Sequence, residues 1–308
     1  HPVMLRAANQ VQREKIARPV LLGDSEQIHS VAADCGVPLD DIEIVNPPES
    51  GHFDEFADHL YRLRRRKGWS AAKTRRMLKS TYVYGAMMVR RGLVDGQVHG
   101  IVQSYPEAIR PVLWVIPRRE GVAKVSGVYL MIFRDKTLLF ADATVNIHPD
   151  AEALAEIAVL AAEMAEFFSL SPRVAILSFS NFGSTRHPDA ARAAEAVQLA
   201  RRRRPDLAVD GEMQADTAVT GEILMRDYAF NRLGGPANVL VFPDLIAGNV
   251  AYKLLARLGG AIGVGPLLMG LSRPFNVVQD GSDMETVVNV IAITAAQAQA
   301  ACGIDAAH

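Results

Sequence analysis

Cysteine is nearly absent from these 308 residues: only Cys35 and Cys302 occur. Two cysteines cannot build a disulfide framework, and their scarcity points to a reducing, cytoplasmic setting. Aromatic residues are also few, at 6%. No apolar run approaches the roughly 18 residues of a membrane span. Net charge is −1, so no global electrostatic argument favours nucleic acid or an anionic membrane as partner. Missing too are an initiator methionine and any secretory leader pattern. The opening "HPVMLRAANQ" reads as the inside of a helix, with Val3, Met4, Ala7, Ala8 and Val11 on one face, so the chain is expected to be a piece of a longer polypeptide. The eight histidines are scattered and no H-E-x-x-H occurs, so no metal site is expected. A dinucleotide fingerprint is lacking as well. The glycine-rich "GGAIGVG" (259–265) precedes a strand and reads as a helix-to-strand turn.

What is present is the composition of an ordinary globular protein, 49% hydrophobic and 22% charged. "RPVLLG" and "IEIVNP" read as short strands around a helix capped by Ser25 and stopped by Gly36. Helical periodicity then runs through residues 52–96. Beyond a boundary near 120, "KVSGVYLMIF" and "TLLFADATVN" predict a hairpin across "RDK". "DAEALAEIAVLAAEMAEFFSL" predicts an amphipathic helix, "RVAILSF" a buried strand, and "GPLLMG" a last strand. Apolar strands alternating with helices imply an α/β fold whose mostly parallel sheet is covered on both faces.

The basic runs Arg62–Lys67 and Arg201–Arg204 read as solvated helix ends, favoured by the C-terminal dipole, and the first, interrupted by Leu63, is also a candidate for part of an interface. Three polar segments carry more. "SFSNFGSTRH" (178–187) breaks the strand "RVAILSF" into a small-residue turn expected to open a helix, where orphan N–H groups bind anions. Here Ser180, Asn181, Phe182, Gly183 and Ser184 offer hydroxyls, an amide and close backbone approach. "VDGEMQADTAV" places Asp210, Glu212 and Asp216 after another strand. "SRPFNVVQDGSD" (272–283) is read as a polar loop holding Gln279, Asp280 and Ser282. Loops at strand ends of one sheet converge on a shared crevice, which makes these three a candidate site.

At these segments, and in "YGAMMVRRGLVDGQVHG", "FADATVN" and "ANVLVFPDLIAGNVAYKLL", the sequence resembles the phosphate acetyl/butyryltransferase family. More narrowly, "LSFSNFGS" and "VDGEMQAD" look like the phosphotransacetylase-type domain fused to bacterial hybrid malic enzymes. The resemblance implies a two-domain fold like that of the isocitrate/isopropylmalate dehydrogenases. It divides the chain into 1–120 plus 267–308, lacking its first strand, and a second, dimerising domain, 121–266. It also implies coenzyme A in the cleft between the two domains. The acyl end is expected near Ser180–Ser184, the phosphates or pantetheine near Arg110, and Asp216, Gln279 and Ser282 around the ligand.

The third loop departs from the family pattern. Active members carry Ser-Arg-Gly followed by an Asp; here stand Gln279-Asp280-Gly281, and Thr286 at the Asp position. Acetyl transfer to phosphate needs a thiol base, a donor to the transition-state oxygen and a cation for phosphate. Losing one positioned donor costs roughly 10²–10³ in rate. The expectation is therefore a non-catalytic regulatory domain, with Gln279, Asp280 and Thr286 as degenerate positions. It would bind acetyl-CoA and inhibit malate decarboxylation by an NAD(P)- and divalent-metal-dependent catalytic domain of the same polypeptide. Two alternatives stand beside it. One is an active phosphate acyltransferase using groups such as Ser180, Asp216 or Ser282; the other is an oligomerisation module with a vestigial cleft. A homodimer or higher oligomer is expected in each case, with neither nucleic acid nor membrane as partner.

Overall fold

A computed structural model describes residues 1–305 of the chain. The elements in order are α1 (Pro2–Arg13), β1 (Val20–Leu22), α2 (Ser25–Asp34), β2 (Glu43–Val45), α3 (Phe53–Arg64), α4 (Ala71–Leu78) and α5 (Thr81–Arg91). β3 (Gln97–His99), α6 (Tyr105–Val115), β4 (Ser126–Ile132), β5 (Thr137–Ala141), α7 (Ala151–Phe167), β6 (Arg173–Leu177) and α8 (Pro188–Arg203) follow. β7 (Ala208–Met213), α9 (Ala215–Val219), α10 (Gly221–Asp227), β8 (Val239–Val241), α11 (Leu245–Leu258), β9 (Ile262–Met269), β10 (Phe275–Val277) and α12 (Met284–Asp305) close the chain. None of the described helices is long and apolar enough to cross a membrane.

The chain divides into two compact units. The first takes His1–Arg119 and the chain from Leu271 onward. Its strands form two parallel pairs, β1 with β2 and β3 with β10. α1 packs on α12 and α5 on α6. α5 is buried continuously from Val83 to Val89, because glycine, alanine and methionine let neighbouring elements close on it from all sides. The helix after β1 is capped by Asp24, whose carboxylate accepts the Gln27 N–H, and not by Ser25 as expected. A carboxylate at a helix start also gains from the dipole, and the two residues are neighbours in sequence. β10 was not expected: it lies inside the segment read as a polar loop. Three residues, Phe275, Asn276 and Val277, were too short a run to signal a strand, yet all are buried.

The second unit, Glu120–Gly270, carries strands in the order β9-β4-β5-β8-β6-β7. β4 is antiparallel to β5 and β9, and the β5-β8-β6-β7 half is parallel. The expected hairpin is present, closed where Phe133 N–H donates to the Lys136 carbonyl (2.8 Å). β9 starts at Ile262, earlier than expected, so Gly263 and Gly265 are strand residues beside Tyr129 and only Gly259 and Gly260 make the turn. One sheet face packs Met131, Leu138, Phe140, Leu177 and Leu240 against Tyr252 of α11, Ala218 of α9 and Leu224 of α10. The alternate strand residues point to the other face, where α7 and α8 pack side by side. α7 begins at Asp150, which accepts the Ala153 N–H, and its buried Glu156 accepts the N–H groups of Ala123 and Lys124 (2.8 Å each).

In the first unit His99 is buried between the ring edges of Tyr82 and Phe275. Its Nε2–H donates to the Ala108 carbonyl (2.9 Å) and its Nδ1 accepts from Gln97 (3.0 Å). Desolvation pushes its pKa down to about 4. The folded value thus lies below the unfolded one, so the stability carried by neutral His99 is present above the unfolded pKa and is lost as pH falls toward the folded pKa. Urea titrations from pH 7 to pH 4 should show wild type losing up to about 3 kcal/mol more than His99→Gln over that window. Parallel pH curves for the two proteins would refute the assignment.

Candidate functional site

The carboxyl ends of the parallel strands in the second unit make a crevice for a topological reason. β6 runs into α8 on the α7 side of the sheet, whereas its neighbours β7 and β8 run into α9 and α11 on the opposite side. Chains that leave adjacent strands toward opposite faces open a gap between them, and ligands of open α/β sheets bind there. Residues 178–187 occupy the exit from β6.

Within this loop the expected helix start is displaced. α8 begins at Pro188, with His187 as its cap, so the helix's orphan N–H groups do not surround Gly183. Proline at the first helical position suits a chain that enters from extended backbone. The loop has donors of its own, organised by Glu212 at the end of β7. One oxygen of this buried carboxylate accepts from Ser180 Oγ–H (2.8 Å) and from Gly183 N–H (2.6 Å), while its backbone carbonyl accepts from Phe182 N–H (2.8 Å). Ser180 is wholly buried; its oxygen accepts from Thr185 N–H (3.1 Å) and lies 3.2 Å from Ser184 Oγ. It is therefore part of the loop's frame. Ser184 is exposed and accepts from Asn181 N–H (3.0 Å). Asn181 Oδ1 accepts from Gln214 N–H (2.7 Å), which turns its amino group away from the strand. Phe182 and Gly183 both have positive φ, 47° and 85°, and the Phe182 ring rests on Tyr228 and Phe230.

Among the other acids of "VDGEMQAD", Asp210 is structural. It is buried, pairs with Arg201 (2.5 Å) and accepts from Arg232 N–H (2.7 Å). Arg203 pairs with Glu152 and Arg204 with Glu166, so the run 201–204 is tied into the fold as a helix end. Asp216 is exposed in the first turn of α9, and its carboxylate accepts from its neighbour Thr217 N–H.

The remaining expected residues belong to the first unit. Arg110 is exposed on α6, one turn beyond Glu107, whose carboxyl is held below the usual range chiefly by the Ser104 hydroxyl and N–H, with a smaller contribution from Arg110. Gln279 is half-buried, and its carbonyl accepts from Ser282 N–H (3.1 Å). Asp280 is exposed. Thr286 lies in the first turn of α12, its N–H held by Asp283 (2.8 Å). The first unit also contains a cavity of about 870 Å³ between the edges of β1 and β3; none of these residues lines it. Among the described residues no group of three His, Cys, Asp or Glu side chains could hold a metal ion.

Sequence reasoning named Glu212 beside Asp210 and Asp216 but gave it no role. Its signal was present: an acid next to Met213 at the end of a buried strand must be hydrogen-bonded, and a small-residue turn is a natural partner.

The comparisons bear on the whole chain. Residues 1–295 match the family described as phosphate acetyl/butaryl transferase. A phosphate acetyltransferase of Clostridium acetobutylicum is 38% identical, over 96% of this chain and 91% of its own length. One from Nitratidesulfovibrio vulgaris is also 38% identical over 98% of this chain, which spans only 43% of that relative. A crystal structure of a phosphotransacetylase from Streptococcus pyogenes superposes with a TM-score of 0.92 at 37% identity, covering 97% of this chain and 92% of that one. These relatives are named as acyltransferases, and this overturns the expected non-catalytic regulatory domain. The labels malic enzyme, oxidoreductase and allosteric regulator fall with it. The expectation had weighed a few positions of one loop, Gln279–Gly281 and Thr286, above the agreement of the other elements. Its physical premise was weak as well, because Asp280 is exposed and its repulsion of phosphate is screened by water. Sequence and fold together make this chain a member of the phosphate acetyl/butyryltransferase family.

Proposed function

We propose that the chain is a phosphate acyltransferase that moves an acetyl or similarly short acyl group between the thiol of coenzyme A and inorganic phosphate. The observation that carries this reading is the family match over residues 1–295, which includes every loop of the candidate site. In the direction of acyl phosphate, a phosphate oxygen attacks the thioester carbonyl carbon. The new C–O bond forms, the C–S bond breaks, and the phosphate proton ends on the departing sulfur. Asn181 Nδ2 is the donor suited to the carbonyl oxygen, and Asp216 is the carboxylate suited to the thiol proton. Arg110 attracts the phosphates of coenzyme A, with Gln279 and Ser282 as further polar contacts. The finer fold class, that of the isocitrate/isopropylmalate dehydrogenases, is supported by the division into two α/β units with parallel strands. A cytoplasmic setting agrees with the scarcity of cysteine.

With acetyl phosphate and coenzyme A as substrates, thioester should form at a kcat within the common range of about 1–10³ s⁻¹. Thioester formation no faster than the protein-free blank would end this reading. Because Arg110 is exposed, its loss should be mild. Arg110→Ala is expected to raise KM for coenzyme A by about fivefold at low salt, less at high salt, since exposed ionic contacts are worth under roughly 1 kcal/mol. An unchanged KM would remove Arg110 from the site.

The partner expected at the second unit is another copy of this chain. Ile246, Val250, Leu254 and Leu258 follow each other at i, i+4 spacing along α11 and are between 50% and 82% exposed. A continuous exposed apolar stripe of this kind marks an interaction surface. Light scattering at micromolar concentration should give a dimer, and Leu254→Glu should give a monomer. A monomeric wild type would count against this face.

A further inference from the structure

The acyl-transfer reading leaves one feature of its own site without a role. Glu212 is 3% exposed, yet donors of the turn converge on it: the Ser180 hydroxyl and the Gly183 N–H on one carboxylate oxygen, and the Phe182 N–H on its backbone carbonyl. The turn is in a conformation that the chain does not adopt freely, since Phe182 is a bulky side chain at φ 47°. Strained backbone of this kind persists only where the surroundings over-determine it. Here the surroundings are one carboxylate oxygen and the backbone carbonyl of Glu212, with the rings of Tyr228 and Phe230.

We propose that Glu212 is a positioning residue of the site. Its carboxylate clamps the turn 180–184 so that Asn181 Nδ2 keeps one fixed direction toward the substrate. The inference rests on the acyltransferase reading and deepens it. The links run without a gap. Glu212 holds Ser180 Oγ–H, and Ser180 Oγ sits 3.2 Å from Ser184 Oγ. Ser184 Oγ in turn takes the Asn181 N–H, and the Asn181 side-chain oxygen is taken by Gln214 N–H. With Oδ1 engaged, the amino group is the end of Asn181 that remains for a ligand. A side-chain oxygen such as that of Glu212 suits the task, because its two lone pairs accept two donors at once. Preorganised donors are worth most in acyl transfer when they need not move as charge develops on the carbonyl oxygen, so a clamp behind them acts on rate as well as binding.

The test compares Glu212→Ala, which removes the clamp, with Glu212→Gln, which keeps an acceptor oxygen in place. Coenzyme A affinity is read by calorimetry, kcat and KM with acetyl phosphate and coenzyme A, and the turn by hydrogen exchange at the Phe182 and Gly183 amides. Glu212→Ala should lose protection at the Gly183 amide, whereas the Phe182 amide keeps its acceptor, the backbone carbonyl of residue 212; kcat/KM should fall by at least about tenfold, the scale of one charged hydrogen bond. Glu212→Gln should stay within about threefold of wild type, since its oxygen still accepts both donors. Wild-type kcat/KM in Glu212→Ala, with protection lost, would overturn the proposal by showing that the direction of the turn is immaterial. Equal damage in both variants, with the turn amides still protected in Glu212→Gln, would overturn it in favour of a role for the charge itself. If Glu212→Ala does not fold, Ser180→Ala removes the hydroxyl donor to Glu212 together with the acceptor of the Thr185 N–H; a severalfold fall in kcat/KM with faster exchange at the Gly183 amide supports the clamp, and an unchanged kcat/KM refutes it. A wild type without acyl transfer defeats the acyltransferase reading separately, and coenzyme A affinity across the same variants then decides the clamp.

Discussion

A carboxylate taken out of water must be given hydrogen bonds, and much of the second unit is arranged around that requirement. Glu212 sits at the end of β7 with one oxygen shared by a hydroxyl and a backbone N–H. Without those donors its burial would cost several kcal/mol. With them, the loop that leaves the neighbouring strand β6 is tied across to β7, and the crevice at the strand ends has a defined wall.

The same device recurs where the chain changes direction. Asp142 at the end of β5 accepts the N–H groups of Thr144 (2.8 Å), Val145 (3.0 Å) and Asn146 (2.9 Å), and so folds the segment that leads toward α7. Burial pushes its carboxyl up, against the pull of those bonds. Glu156 in α7 accepts from Ala123 and Lys124, and Asp210 from Gly211 and Arg232. Each acid satisfies backbone donors that irregular chain would otherwise leave unpaired next to a buried sheet. The apolar strands supply the stability, and the acids decide where the loops between them go.

The departures from the family pattern read differently once these placements are known. Asp280 and Thr286 stand in the first unit, where Asp280 faces solvent and Thr286 takes part in a helix cap. The turn that follows β6 belongs to the second unit and is complete in itself, with its donors held from behind. A loop can change sign of charge while the loop opposite in function keeps its geometry, because the two are built by different hydrogen-bond networks. Agreement with phosphate acetyltransferases along nearly all of the chain therefore outweighs the altered positions.

The sequence by itself determined the class of the fold. Apolar strands alternating with helices, the hairpin across Arg134–Lys136 and the amphipathic run of α7 are local signals, and each element formed where its periodicity or turn chemistry required. The segments around Asn181 and Asp216 were also legible, since small polar residues after buried strands belong at a strand-end crevice. Only the tertiary structure decided which of those polar groups face outward. Ser180 and Ser184 differ in sequence by nothing but position, yet one is wholly buried against Glu212 and the other is exposed. The start of α8 and the existence of β10 were likewise settled by packing: a three-residue strand has no period to read, and a helix start depends on where extended chain ends. The role of Glu212 belongs to the same group. Its partners lie 29 and 32 residues away in sequence, and contacts at that separation are set by how the strands pair.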